Sequence, residues 1–129
     1  MKSTNLLIVN LCTAILLLTG CQSVISSNHS TATSITPTLT KGLDKVDENH
    51  AAIEANQEFY VLDTYIIPFQ QPYYILVRKQ DGKRFSKNIA DVLAIDYIKT
   101  RGCNQTLVRR SDLDKSTSDG SQHLIGVAC

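Results

Sequence analysis

Two runs rich in aromatic and β-branched residues, 59–67 (FYVLDTYII) and 73–79 (YYILVRK), stand either side of a spacer that begins at Pro68 and ends at Pro72. Such side chains pack well on a pleated surface, so each run reads as a strand. A proline cannot donate to a ladder, so two of them bar regular pairing in the spacer and make it a hairpin connection. Any fold for this chain has to be built around that hairpin. The pair Asp81-Gly82 marks the turn that follows it.

The flanking segments read differently. Leu43, Val46, His50 and Ile53 are spaced three, four and three apart, the spacing of one helix face. With Ala51, Ala52 and Ala55 nearby, this predicts a short amphipathic helix over 43–57. A second helix is predicted from Asn88, which with Asp91 resembles a capping box. Its face is Ile89, Val92, Leu93 and Tyr97, widened by Ala94 and Ile98. Lys99 and Arg101 suit the negative end of the helix dipole, and Gly102 can take the left-handed conformation that ends a helix. A strand over 106–110, a polar loop over 111–121 and a strand over 123–127 complete the chain. The predicted order, α-ββ-α-ββ, describes an α+β domain with a mainly antiparallel sheet.

The chain has 129 residues, which allows at most one domain. With 43% hydrophobic and 19% charged residues it is neither a polytopic membrane protein nor too polar to collapse. The formal net charge is only +1, which leaves no basic excess to hold a polyanion, so no nucleic-acid partner is expected. Charge is unevenly placed. Residues 41–63 carry six acids against Lys41 and Lys45, whereas 78–110 carry nine Lys or Arg against three Asp, which predicts a dipolar molecule.

The N-terminus reads as a targeting segment. Lys2 supplies a positive start, and Leu6 to Leu18 (LLIVNLCTAILLL) is apolar apart from Asn10 and Thr13. The run is short of the roughly 20 apolar residues a spanning helix needs and fits a secretory signal peptide. It ends in Leu18-Thr19-Gly20-Cys21, which resembles the lipobox of bacterial membrane lipoproteins. That resemblance implies diacylglyceryl attachment to the Cys21 thiol and cleavage after Gly20 by a type II signal peptidase. A thiol is required because a thioether forms, and small residues at 19 and 20 admit the peptidase to the backbone. It also implies anchoring through lipid on Cys21. By resemblance to lipoprotein sorting in bacteria with two membranes, Gln22 carries no inner-membrane retention signal, so the outer membrane is the address the resemblance implies. The expected organisation is a signal peptide over 1–20, a lipidated tether over 21–40 and a globular domain over 41–129. Ten of the nineteen residues 22–40 are Ser or Thr and none is Lys, Arg, Asp or Glu, which cannot bury enough surface to offset chain entropy.

Four cysteines are present. Cys12 falls in the discarded segment and Cys21 takes the lipid, leaving Cys103 and Cys129 as an even pair in an oxidising compartment. A disulfide closing a loop of roughly 25 residues, worth on the order of 3 kcal/mol, is the simplest account. Two buried free thiols are the alternative, and a metal site lacks the nearby His or Cys to complete four ligands.

Catalytic signatures are missing from the sequence. His50 sits on the predicted helix face and His123 at a strand start, and neither belongs to G-x-S-x-G or H-E-x-x-H. No enzymatic activity and no cofactor is therefore expected. The loop from Ser111 to Ser116 opens like a calcium loop, but Thr117 stands where glycine is needed and His123 where a bidentate glutamate belongs, so no metal is assigned. Arg78, Lys79, Lys83, Arg84 and Lys87 surround the Asp81-Gly82 turn, as a solvated turn or as a weak contact for anionic headgroups or an acidic partner. Phe69, Tyr73 and Tyr74 cluster at the other end of the hairpin, either as core or as an aromatic tip that docks a protein. The expected function is a small envelope lipoprotein acting as a non-enzymatic interaction or assembly module with an envelope protein partner. The alternative is a periplasmic inhibitor or ligand-binding lipoprotein.

Overall fold

The two runs flanking Pro68 and Pro72 pair with each other. In a computed structural model, which describes residues 37–101 and 103–129, β2 (Glu58–Ile66) and β3 (Tyr73–Lys79) form an antiparallel ladder. Tyr60 lies opposite Lys79 and Ile66 opposite Tyr73. Their connection opens with a turn closed by the Gln70 amide on the Ile67 carbonyl at 3.0 Å, and the Gln71–Pro72 peptide is cis.

The first predicted helix is not a helix. Residues 44–55 form β1 (Asp44–Ala55), paired antiparallel with β2. Val46 lies opposite Thr64 but His50 lies opposite Asp63, so Asp47, Glu48 and Asn49 are inserted as a bulge. The four-residue step from Val46 to His50 spans that bulge and imitates helical spacing. His50 and Ile53, an odd number of positions apart in a strand, then fall on opposite faces. Beyond the bulge, half-buried Ala51, Ile53 and Ala55 alternate with exposed His50, Ala52 and Glu54, which is period two. A two-residue turn follows, with φ of 53° at Asn56 and 64° at Gln57, as a type I′ hairpin requires.

The second helix is α1 (Lys87–Lys99), and its start lies earlier than Asn88 and Asp91 predict. Ser86 is the cap, accepting from the Asn88 amide at 3.2 Å. Asp91 instead holds Arg109 at 2.6 Å, from β4 (Val108–Arg109). A 3-10 turn over Ser111–Leu113, β5 (Lys115–Ser116) and β6 (Gln122–Ala128) complete the chain. The sheet has six strands in the order β1-β2-β3-β6-β4, with β5 also on β6, and every pairing is antiparallel.

Both faces of the sheet carry a core. Leu62, Ile75, Val77, Ile125 and Val127 meet Ala90, Leu93, Ala94 and Ile98 of α1 on one face. On the other, Tyr65, Tyr74, Leu76 and Leu124 are covered by Leu39 and Leu113. Leu39 falls in the stretch expected to be tether, yet it is buried. Gly126 lets the segment 110–113 cross β6 closely: a Cβ there would stand 2.7 Å from the Arg110 carbonyl oxygen. Cys103 and Cys129 form the expected disulfide, joining the segment after α1 to the end of β6.

Candidate functional site

Leu18, Thr19, Gly20 and Cys21, with the rest of the signal peptide and the tether through residue 36, lie outside the described residues. Of the three aromatic candidates, only Phe69 presents its ring to solvent. Tyr73 packs half-buried against the core under α1, and Tyr74 is buried in the cluster on the opposite face. Phe69 is fully exposed, and its φ is +63°. It occupies the third position of the Ile67–Gln70 turn, after Pro68, where a positive φ favours Gly or Asn. A left-handed conformation costs a side chain with a Cβ about 1–2 kcal/mol.

The side chain that sequence reasoning missed is Asp63. It has no exposed surface and lies on the sheet face away from α1. Nδ1 of His50 donates to its Oδ1 at 2.7 Å, Nζ of Lys45 stands 3.1 Å from the same oxygen, and Arg78 donates to Oδ2 at 3.0 Å. Burial pushes the Asp63 carboxyl upward, but the hydrogen bonds from His50 and Lys45 and the charge of Arg78 outweigh it, so the pKa is lowered overall. These partners meet only when three strands pair, since Lys45 and His50 come from β1 and Arg78 from β3.

In the loop 111–116, the Asp114 side chain is only 6% exposed and is held by bases rather than left open. Its Oδ2 takes Arg109 at 2.5 Å and Lys87 at 2.6 Å, and its Oδ1 accepts from the Gly126 amide at 3.0 Å. Burial raises its pKa, and these donors more than reverse the effect. Asp112 is paired with Arg110 at 2.7 Å. Among the described residues no three His, Cys, Asp or Glu side chains converge as metal ligands do.

The basic turn is largely answered by acids, one from the turn itself and three from other elements. Lys79 meets Glu58 at 2.5 Å, Lys83 meets Asp81 at 3.4 Å, and Arg78 and Lys87 are held by Asp63 and Asp114. The expected charge separation is thereby reduced, because β2 lays its acids against the bases of β3. The Tyr60 hydroxyl, desolvated and donating to Glu58 at 2.8 Å, has its pKa pushed up to about 12.

His123 is buried, with its ring edge-on to Phe85 at 4.7 Å. Nε2 is 3.1 Å from the Phe85 carbonyl, which only accepts, so Nε2 donates there, and Nδ1 lies 2.7 Å from the Ser116 hydroxyl oxygen. Ser116 lines a cleft together with Thr38, Leu39 and Asp119.

Finally, β1 is an outer strand of the sheet, and beside its end runs an open groove of about 470 Å³ along α1. Ala55 and Asn56 form one side, and Ile89, Val92, Leu93 and Asp96 the other. Among the described residues no helix is long and apolar enough to cross a membrane. Compared with protein families, with curated proteins and with solved structures, the chain matches none of them.

Proposed function

We propose that the chain is a small lipid-anchored lipoprotein of the bacterial cell envelope, held at the outer membrane through Cys21, and that it acts as a non-enzymatic interaction or assembly module. The anchoring rests on the resemblance of Leu18-Thr19-Gly20-Cys21 to a lipobox. The interaction role is carried by Phe69, whose side chain is fully exposed on a backbone with positive φ. Fold stability does not favour it there. Asn would relieve the backbone, and a polar side chain would be better solvated. Strain at an exposed aromatic points to a use outside the fold. The loop opens at Pro68 and ends at Pro72, so it loses little entropy on docking.

Two variants test the reading. Cys21→Ala blocks lipidation, so metabolic labelling with an alkyne palmitate marks the wild type and not the variant. Phe69→Asn keeps or raises stability by up to about 1 kcal/mol, the strain released at a left-handed position, but releases the protein from its envelope complex. Label on Cys21→Ala, or an unlabelled wild type, ends the lipoprotein reading. A destabilised Phe69→Asn that keeps every partner ends the docking tip.

A further inference from the structure

Helix α1 lies over β3 and β6 and covers the β1 side of the same face only in part, leaving Ala51, Ile53 and Ala55 half-buried, and the groove runs there between the end of β1 and the helix. Val92 projects into it from the helix with 59% of its surface exposed. Next to the groove, β1 is the sheet edge, and an edge strand presents the N–H and C=O of every second residue outward. Natural edges are commonly blunted by lysine, proline or bulges. Here the bulge at 47–49 interrupts only the first half, and the only lysine of the strand, Lys45, is held by Asp63. From His50 to Ala55 the edge is regular and lysine-free.

The surroundings are acidic. Asp47, Glu48 and Glu54 of β1 and Asp96 of α1 are exposed, and residues 46–77 contain no Lys or Arg. A strand added to β1 sends alternate side chains to opposite faces. Those on the α1 side enter the groove beside Ile89 and Val92. Those on the other side lie along the face that carries His50 and Glu54.

We propose that the β1–α1 groove docks an extended segment of a partner protein, adding a strand to β1, in which apolar residues alternate with Lys or Arg. Main-chain bonds to the edge supply affinity and the groove selects side chains, the mode of β-strand addition. This rests on reading the protein as an interaction module, but on a different surface. The strand register places the Phe69 connection and the Asn56-Gln57 turn at opposite ends of the β1–β2–β3 ladder. A second copy brings to the regular edge, His50–Ala55, another stretch without Lys or Arg, so neither Glu54 carboxylate gains a lysine or arginine partner from it. Residues 22–36 of the chain itself hold no Lys or Arg and leave the acids unanswered.

The test uses the mature full chain in detergent micelles and a short fluorescein-labelled peptide of alternating Val and Lys, read by polarisation. Its comparators are an alternating Val and Glu peptide and a block peptide with the Val/Lys composition. The alternating Val/Lys peptide binds best, and Val92→Arg and Glu54→Lys each weaken it by about tenfold or more while melting stays unchanged, as for surface substitutions. Equal binding of either comparator, or indifference to Val92→Arg, overturns the proposal. So does a dimer that Val92→Arg abolishes, or binding that appears only when residues 22–36 are deleted. The readout needs neither lipid nor Phe69. A failure here with palmitate label and Phe69 dependence intact removes the groove and leaves the envelope module standing.

Discussion

A carboxylate without exposed surface is tolerated only when its charge is answered, and Asp63 has His50, Lys45 and Arg78 on its two oxygens. Its lowered pKa fixes the sign of the pH dependence. The stabilisation is complete above the unfolded value of about 3.9 and is lost as pH falls through the lower folded value. Asp114 acts in the same direction. Chemical denaturation of the wild type should therefore lose stability as pH drops below about 4, and Asp63→Asn should flatten part of that slope. At neutral pH the same variant should cost about 1–3 kcal/mol, the price of unmade bonds to a buried group. The cost stays at that level because Lys45 and His50 are partly exposed and can rehydrate. A slope unchanged by Asp63→Asn would place the acid sensitivity elsewhere. None of this was legible in the sequence. Lys45 and His50 were read on a helix and Arg78 in a basic turn, and only the bulge at 47–49 brings His50 opposite Asp63.

At the scale of elements, legibility followed how local the signal was. The β2–β3 hairpin was readable because its apolar runs and prolines are contiguous, and the limits of β3 match those expected. The first element was misread because a bulge breaks period two and alanines favour a helix in isolation, whereas pairing with β2 decides the outcome. Asn56 suits a tight turn by type, but Gln57 is not the glycine usual beside it, so the sequence does not mark this hairpin. Helix α1 was found, but its cap was placed two residues late, because Asn88 is as good a capping residue as Ser86 by type. The geometry separates the two: Ser86→Ala should lower stability by about 1 kcal/mol, and Asn88→Ala by less than about 0.5 kcal/mol, as at an ordinary surface site. Urea denaturation of the pair checks this, and the reverse order would return the cap to Asn88. The groove was not readable at all, since it depends on which strands α1 covers.

For the whole molecule, the disulfide is the largest single constraint. Cys103 and Cys129 are 26 positions apart, and the bridge closes the loop that contains β4, β5 and β6. Restricting that loop in the unfolded chain is worth on the order of 3 kcal/mol, a large share of what a small domain has. The native protein should therefore consume no alkylating reagent at these thiols until reductant is added, and reduction should lower the melting temperature by several degrees or more. Two reactive thiols before reduction would contradict the bridge. Leu39 has a different kind of consequence at this scale. It is buried against Tyr65, Tyr74, Leu76 and Leu124, upstream of the first β1–β2 pairing, Asp44 with Ile66. Any tension arriving along the chain from its N-terminal side meets that apolar plug before it reaches the ladder. Pulled at its end, a two-strand ladder peels one pairing at a time. With Leu39 seated, the load spreads into the sheet face instead, as strain relief on a cable protects the connector behind it.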